Sequence, residues 1–357
     1  MKKKIAILTQ NYYPKIGGTE TLAKTILTSL QDEYEVDLIT SKVEDRNLFN
    51  FSHKVFEFSE NDFLNLDIFF KVKKYDLCIF FSDLHSIQLN KFKNIWCDKT
   101  IVVLNLDENS YSWKDNFPSA LQNLKKSSMV ITFTKEGVAN KFLEENNIKN
   151  TYIPNFSKDY KTSKEDLDIK LPINLKQDTK TIGYIASYEQ RKNQLFVLEK
   201  ISENKNLRDL NFLFMGTSPD LNYLKECINL KNKNNLDNVH FIKGTNEQQK
   251  IKKLLNNIDC LLLCSLAEGL PLSILEAMSA GKPWVATPVG GIRGVFKNTN
   301  SGFVLSSKQP TSEEIYNNIT KCISELNSQI IREEWHKEFD VTKSVKAYKE
   351  MVKEVLK

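Results

Sequence analysis

Long apolar runs are missing from this sequence of 357 residues. No stretch approaches the roughly 18 apolar residues that a helix needs to cross a bilayer. The first residues, MKKKIAIL, have the basic start of a signal peptide, but polar residues from Thr9 to Asn11 interrupt the apolar run too early for its hydrophobic core. We therefore expect a cytoplasmic protein.

Arginine and paired cysteines are scarce as well. Only 5 of the 50 basic residues are arginine and the net charge is +5, which argues against a dedicated nucleic-acid-binding protein. The six cysteines form no CxxC pair, and Cys260 and Cys264 have no histidine cluster near them in sequence. We therefore predict buried free thiols rather than disulfides or a zinc site.

Short apolar segments alternate with amphipathic ones, which is typical of βαβ units and parallel sheets. Strands are predicted at 4–9, 36–40, 76–81, 100–104, 129–133, 181–186, 211–215, 238–242, 259–263, 283–287 and 302–305. Helices are predicted from about 135 and at 192–202, 219–230, 246–256, 272–280 and 342–356. The polar, lysine-rich segment 157–180 is interpreted as a connection between two domains. We expect an α/β protein with two Rossmann-like, doubly wound domains.

Glycine is scarce overall but concentrated in one window. Six of the 12 glycines fall within 269–302, and glycine accumulates where the backbone turns tightly or approaches a ligand. Pro271 stands where a first helical residue belongs, shortly after the predicted strand 259–263. Open α/β sheets bind ligands at this end of a strand, and a helix start there favours anions. The backbone N–H groups that would face such a ligand are those near Leu270, Leu272 and Ser273.

Two glutamates frame this predicted helix start. Glu268 lies in the loop before it, and Glu276 lies about one turn inside the helix. A carboxylate accepts hydrogen bonds from vicinal hydroxyls, so the pair suits recognition of a ribose or another sugar. The alternative is that both are solvated surface acids. The surrounding glycine pattern favours the binding interpretation.

The window resembles the donor-site signature of family 4 glycosyltransferases, which are retaining enzymes with the GT-B fold. It has E-G-x-P-x-x-x-x-E from Glu268 to Glu276, followed by A-x-x-x-G-x-P-x-V-A-T and a G-G turn. Gly17-Gly18 matches the family's N-terminal glycine turn, and Ile153-Pro154-Asn155 matches the I-P-N where its first domain ends. The resemblance covers nearly the whole chain.

The resemblance implies two domains that face a central cleft. Residues 1–160 would bind the acceptor and 178–335 the donor, and a final helix at 340–357 would pack back on the first domain. Glu268 would lie beside the transferred sugar, and Glu276 would hold the ribose of the nucleotide. The other donor-binding residues that it implies are Gly17, Gly18, Gly269, Leu270, Leu272 and Ser273. In the front-face mechanism favoured for the family, the leaving diphosphate itself deprotonates the acceptor hydroxyl.

Two adjacent cations, Arg191 and Lys192, follow the loop 186–190. Fixed cations stabilise the charge that develops on a departing diphosphate. The family usually has an arginine earlier in this loop, where this sequence has Ala186-Ser187, and Arg191 could compensate because it can bind phosphate in a bidentate manner. A solvated helix start is the alternative interpretation.

The acceptor side departs from the family pattern. A histidine that many relatives carry after the strand at 100–104 is absent, and Asp107 is the candidate for a polar role there. His85, after the strand at 76–81, is a second candidate. Gly294 stands where the family has an acid after its glycine turn. These departures motivate an alternative function, a catalytically idle GT-B subunit that binds nucleotide-sugar or a partner transferase.

Residues 63–74 combine large apolar side chains with terminal lysines. They are interpreted either as an interfacial helix on the inner face of the cell membrane or as a helix packed on the first sheet.

The motif 166-DLD-168 is rejected as a metal site, and no metal or other cofactor is expected. The favoured function is transfer of a hexose from a nucleotide diphosphate donor, most simply a UDP-sugar, to a glycan, glycolipid or lipid-linked acceptor in bacterial surface polysaccharide assembly. An NAD-dependent enzyme is disfavoured because no G-x-G-x-x-G follows the first strand.

Overall fold

The computed structural model consists of two compact units, one formed by Met1–Asn155 with Thr342–Lys357 and the other by Phe156–Val341. The residues that the structure describes are 2–9, 12–13, 17–43, 51–59, 66–83, 97–105, 121, 123–136, 138–161, 175–245, 247–297 and 299–357. The chain passes into the second unit at Asn155 rather than at residue 160. It returns to the first unit at Thr342.

The first unit is built on a parallel sheet. Its strands are β1 (Lys4–Thr9), β2 (Glu35–Ser41), β3 (Lys54–Phe58), β4 (Leu77–Asp83), β5 (Thr100–Asn105), β6 (Met129–Thr132) and β7 (Asn150–Tyr152). Its helices include α1 (Gly18–Leu30), α2 (Leu66–Lys73) and α3 (Val138–Glu145). The strand order is β3-β2-β1-β4-β5-β6-β7, and each neighbouring pair is parallel.

The second unit repeats this design with six strands. They are β8 (Thr181–Ile185), β9 (Asn211–Gly216), β10 (Val239–Lys243), β11 (Cys260–Leu263), β12 (Trp284–Ala286) and β13 (Gly302–Val304), in the order β10-β9-β8-β11-β12-β13. The helices before residue 270 are α4 (Gln194–Glu203), α5 (Lys205–Arg208), α6 (Leu221–Lys233) and α7 (Gln248–Asn256). Those after it are α8 (Leu272–Ser279), α9 (Gly291–Val295), α10 (Ser312–Glu325) and α11 (Ser328–Glu338).

The central strands are buried on both faces, which explains why they appear in the sequence as continuous apolar runs. Every residue of β11 is buried, as are all but the first of β1. The strands predicted from such runs are confirmed. The sequence analysis missed β3 and β7, which are the two edges of the first sheet and are only half-buried and therefore less apolar.

The last helix, α12 (Val341–Leu356), packs on the first unit. Its Tyr348 and Val352 side chains are fully buried. At the surface, Lys353 and Lys349 contact the Glu33 carboxylate at 2.9 and 3.4 Å. The Lys3 ammonium donates to the Leu356 carbonyl at 2.7 Å. Apolar burial therefore holds the helix, because exposed ion pairs add little.

The helix α2 falls within the segment 63–74, for which two interpretations were open. Phe70 is buried, and the Phe69 ring packs on Phe56 and Phe58 of the first sheet, with ring centroids 5.0 and 5.2 Å apart. Val72 alone among its described apolar side chains is strongly exposed, at 72%. These contacts favour the helix packed on the sheet.

The segment 157–180 is not a free connection where the structure describes it. The Ser157 hydroxyl donates to the Leu275 carbonyl at 3.0 Å, and the Lys176 N–H donates to the Asn211 side chain at 3.1 Å. The interpretation as an interdomain connection is therefore wrong for 157–161 and 175–180, which pack within the second unit. Residues 162–174 lie outside the described part of the chain.

Candidate functional site

The predicted site residues of the second unit lie at one end of its sheet. The loop after β8 (186–193) and the loop after β11 (264–271) both start at the carboxyl ends of neighbouring strands. Chain connections leave β8 and β11 in opposite directions along the sheet, because the order is β10-β9-β8-β11-β12-β13. Such a switch point opens a crevice that binds ligands in doubly wound folds.

Glu268 is the centre of this group and is only 4% exposed. The Lys192 Nζ donates to its Oε1 at 2.5 Å, and the Ser265 hydroxyl donates to the same oxygen at 2.7 Å. The Arg191 guanidinium lies 3.5 Å from Oε2. The carboxylate is thus paired and hydrogen-bonded, as a buried charge must be. The alternative that Glu268 is a solvated surface acid is wrong.

Lys192 is held in place through its backbone. The Tyr184 hydroxyl donates to the Lys192 carbonyl at 2.5 Å and accepts the Cys264 N–H at 3.1 Å. Burial lowers the pKa of the Lys192 ammonium, and the adjacent Glu268 carboxylate acts in the opposite direction. One tyrosine therefore joins the two loops that carry the charge pair.

Arg191 is more exposed than its neighbour, at 46% of its side chain. It contacts the Glu189 carboxylate at 2.8 Å and donates to the Ala267 carbonyl at 3.1 Å. Its own carbonyl accepts the Leu266 N–H at 2.9 Å. Both cations predicted for the site therefore lie beside Glu268. Each already has a carboxylate partner, so this cluster of two cations and two carboxylates is electrically neutral.

The glycine turn at Gly290-Gly291 lies directly against the Glu268 loop. Gly290 has φ +51°, and a Cβ there would come within 1.6 Å of the Glu268 carbonyl oxygen. The Gly291 N–H donates to the Gly269 carbonyl at 2.7 Å. Two motifs that are about twenty residues apart in sequence therefore form one backbone contact, which only glycine permits.

The helix α8 begins at Leu272, as predicted, but the predicted place of Pro271 as a first helical residue is wrong. Pro271 is its N-cap rather than its first helical residue, with φ −69° and ψ 125°. No side chain in the described structure caps this end, so the first-turn N–H groups of Leu272 and Ser273 remain available to an anion. Leu270 and Ser273 are buried beside them.

Glu276 lies on α8 and is half-buried. Burial raises the pKa of its carboxyl group to about 7, and the nearby Tyr160 hydroxyl opposes that shift. Burial, together with the nearby Glu276 carboxylate, raises the pKa of the Tyr160 hydroxyl. Tyr160 was missed because it lies in the segment interpreted as a connection. An aromatic residue soon after Ile153-Pro154-Asn155, in an otherwise polar segment, was the available signal.

The remaining predicted residues lie elsewhere. Gly17 and Gly18 belong to the first unit, where α1 begins at Gly18 and Gly17 is its extended N-cap. Asp107 and His85 lie outside the described residues, so their acceptor-side role stays a prediction. Within the described part of the chain, no group of three His, Cys, Asp or Glu residues could hold a metal ion. No helix among those residues is long and apolar enough to cross a membrane.

Comparisons with known proteins agree with this geometry. Residues 166–337 match the family model described as glycosyl transferases group 1. The chain is 23% identical over 329 residues to N-acetyl-alpha-D-glucosaminyl L-malate synthase of Bacillus anthracis, covering 85% of this chain and 84% of that one. It is 31% identical over 146 residues to UDP-Gal:alpha-D-GlcNAc-diphosphoundecaprenol alpha-1,3-galactosyltransferase of Escherichia coli, covering 40% of this chain and 36% of that one.

A solved structure shows the same fold. Anabaena Alr3699/HepE in complex with UDP and glucose superimposes with a TM-score of 0.78 at 19% identity, covering 99% of this chain and 100% of that one. The two parallel-sheet, Rossmann-like domains therefore have the GT-B fold, and the predicted fold class is confirmed.

Proposed function

We propose that this protein is a retaining glycosyltransferase that moves a hexose from a nucleotide diphosphate donor, a UDP-sugar, to a glycan, glycolipid or lipid-linked acceptor. The observation that carries the proposal is the buried Glu268 carboxylate, held by Lys192 and Arg191 beside the uncapped start of α8. Glu276 lies on α8 itself, where it would receive the ribose of the donor.

Each part of the site has a role in this chemistry. The N–H groups of Leu272 and Ser273 and the two cations stabilise the negative charge that grows on the departing diphosphate. Glu268 accepts hydrogen bonds from hydroxyls of the transferred sugar, and Glu276 accepts hydrogen bonds from those of the ribose. The diphosphate oxygen takes the proton of the acceptor hydroxyl on the same face of the sugar. The cations and backbone dipoles supply the electrostatic stabilisation, so we propose a reaction that requires no metal.

The relatives support the donor and acceptor classes. The Anabaena structure contains UDP and glucose, and the name of the E. coli relative specifies a UDP-galactose donor and a diphosphoundecaprenol-linked acceptor. We therefore propose a role in bacterial surface polysaccharide assembly, on the cytoplasmic side of the membrane. Acceptor binding would fall to the first unit.

A second candidate is a catalytically idle subunit that binds nucleotide-sugar or a partner transferase. The observation that favours it is the engagement of Arg191 by Glu189 and Ala267, together with Ala186-Ser187 in place of an earlier arginine. Such a subunit would bind donor without releasing the nucleotide diphosphate.

A donor screen tests the proposal. UDP-, GDP-, ADP- and CDP-sugars are added in turn, the unfolding midpoint is measured, and hydrolysis is assayed for each sugar that binds. A ligand at about 100 times its Kd adds roughly 2.7 kcal/mol to the free energy of unfolding. We expect one nucleotide-sugar to stabilise the wild type and to be hydrolysed slowly. Glu276→Ala should abolish the stabilisation, and Glu203→Ala, at an exposed glutamate of the same unit, should not.

A nucleotide-sugar that stabilises the protein, but is neither hydrolysed nor used to glycosylate any acceptor tried, would favour the idle subunit. Unchanged donor affinity in Glu276→Ala would refute the site assignment. No stabilisation by any of the four donors would refute the proposed function.

A further inference from the structure

The loop that leads from β11 to Glu268 is bonded to the neighbouring loop after β8. The Cys264 carbonyl accepts the side-chain amide of Asn193 at 3.1 Å. Two residues later, the Leu266 N–H donates to the Arg191 carbonyl at 2.9 Å. A backbone fixed in this way leaves the side-chain contacts of Glu268 to decide how its carboxylate is oriented.

Ser265 lies between these two backbone bonds and is fully buried. Its hydroxyl donates to the Oε1 of Glu268 at 2.7 Å. Its carbonyl accepts the hydroxyl of Thr287 at 2.6 Å. Thr287 directly follows β12 and is fully buried as well. A chain of hydrogen bonds therefore runs from the end of β12 through Ser265 to the carboxylate.

The two carboxylate oxygens of Glu268 have different surroundings. Oε1 accepts two hydrogen bonds, one from the Ser265 hydroxyl and one from the Lys192 ammonium at 2.5 Å. Among the described residues, the one polar contact of Oε2 is the Arg191 guanidinium at 3.5 Å, which is longer than the range of about 2.7 to 3.2 Å for such a hydrogen bond. A carboxylate oxygen accepts about two hydrogen bonds. Oε1 is thus saturated, and Oε2 keeps its capacity for a ligand.

We propose that Ser265 is a positioning residue for the transferred sugar, whose hydroxyl holds Oε1 of Glu268 so that Oε2 is presented to a sugar hydroxyl. The inference rests on the proposed function, in which Glu268 lies beside that sugar. Thr287 acts one step further back, because it fixes the carbonyl of Ser265. Both residues are buried in the apo protein, so the carboxylate is oriented before the donor arrives.

Loss of the Ser265 hydroxyl should affect the sugar and not the nucleotide. In Ser265→Ala, Oε1 keeps only Lys192, and the carboxylate can rotate about its bond to the side chain. Oε2 then no longer points in one direction, and its hydrogen bond to the sugar weakens. UDP lacks the sugar and makes no use of Oε2. A residue that only supported the fold would instead weaken UDP and UDP-glucose by the same factor.

Titration calorimetry with UDP-glucose and with UDP separates the two roles, and the measured quantity is the ratio of the two dissociation constants. If the donor screen selects another base, the corresponding diphosphate and its glucose ester replace this pair. The proteins are the wild type, Ser265→Ala, Thr287→Val, Glu268→Ala and the double variant of Ser265 and Glu268. The matched control is Ser301→Ala, which removes the hydroxyl of another fully buried serine of the same unit, one that accepts the Trp284 indole N–H at 3.2 Å.

Ser265→Ala should bind UDP-glucose about five- to tenfold more weakly and UDP within about twofold of the wild type. Thr287→Val should change the ratio in the same direction but by less, because the Ser265 hydroxyl is still present. In the Glu268→Ala background the Ser265 substitution should not change the ratio further, since the carboxylate on which it acts is gone. Ser301→Ala should keep the wild-type ratio, even where it lowers the unfolding midpoint.

Three outcomes overturn the inference. Equal weakening of UDP and UDP-glucose in Ser265→Ala would assign Ser265 to the fold alone. Unchanged UDP-glucose affinity in that variant would show that the hydroxyl does not orient Oε2. A change of ratio that persists in the Glu268→Ala background would show that Ser265 acts by another route.

The proposed function has a separate test. In each of those three cases, wild-type donor binding that is lost in Glu276→Ala would leave the proposed function intact. If the wild type binds none of UDP-, GDP-, ADP- or CDP-glucose, the proposed function fails and the inference fails with it.

Discussion

The Nζ of Lys192 lies 2.5 Å from the Oε1 of Glu268, and both side chains are largely buried. The two residues come from loops after different strands, β8 and β11, and meet only because those strands are neighbours. The pair contributes to the stability of the second unit, and it holds a carboxylate and a cation where the proposed donor binds.

Removing one member of this pair should lower the free energy of unfolding. Lys192→Met leaves the Glu268 carboxylate buried with only the more distant Arg191 as a counter-charge, and we expect a loss of about 3 kcal/mol in the free energy of unfolding. Glu268→Gln should lose a comparable amount, and the double variant clearly less than the sum. Urea denaturation of all three measures this. The exposed pair Lys250–Glu247 is the control, and its disruption should change little. Additive losses would show that the buried charges act independently.

Gly290→Ala should destabilise the second unit. The residue has φ +51°, and an added Cβ would overlap the Glu268 carbonyl oxygen, so the glycine turn and the Glu268 loop must separate. We expect a loss of about 3 kcal/mol, measured by thermal or urea unfolding. Gly294→Ala, at an exposed position of α9, is the control and should be neutral or slightly stabilising. Wild-type stability in Gly290→Ala would contradict the contact.

Glu189→Gln should strengthen donor binding. Glu189 contacts Arg191 at 2.8 Å and accepts the Ser187 hydroxyl at 2.6 Å, so it competes with a diphosphate for the guanidinium. We expect UDP-glucose to bind about two- to fivefold more tightly, with a larger gain at low salt because exposed charges are screened. Calorimetry at two ionic strengths measures both effects. Glu203→Gln, which frees the distant Lys200, should leave affinity unchanged. Weaker binding in Glu189→Gln would assign Glu189 to the donor site itself.

The ligand-free protein should lose stability as Glu276 ionises. Its carboxyl pKa is 4.5 when unfolded and about 7 when folded, so the folded state binds the proton more tightly. The contribution to stability is therefore complete below pH 4.5 and is lost as the pH rises to about 7. Glu276→Gln should remove this slope, which amounts to about 1 to 3 kcal/mol, and unfolding free energies measured across this range test it. An unchanged pH dependence in Glu276→Gln would show that other groups cause it.

Much of the candidate site was predictable because its signals are local. The E-G-x-P run, the glycine turn and the apolar strand before them lie within some forty residues, and each follows from backbone conformation. Glu268, Glu276 and Lys192 were named from that pattern together with the family resemblance. The structure places Glu268 with Lys192, and Glu276 on the adjacent helix.

The partners of these residues were not predictable. Tyr160 lies more than a hundred residues before Glu276, in a segment without helical or strand periodicity. The pairing of Glu189 with Arg191 depends on a short 3-10 turn at Gln190–Lys192 that ends at Asn193 with φ +58°. Pro271 is the N-cap rather than the first helical residue because the exact start of a helix depends on the geometry of the preceding loop and not on composition.

The sequence by itself determined the two βαβ domains and the strand ends at which chemistry concentrates. Apolar periodicity and glycine placement act within a few residues, and they suffice to specify strands, helices and turns. Only the tertiary structure decided which charges are buried and which are paired. Burial and pairing depend on contacts between residues far apart in sequence, and those contacts set the pKa values and the electrostatics of the site.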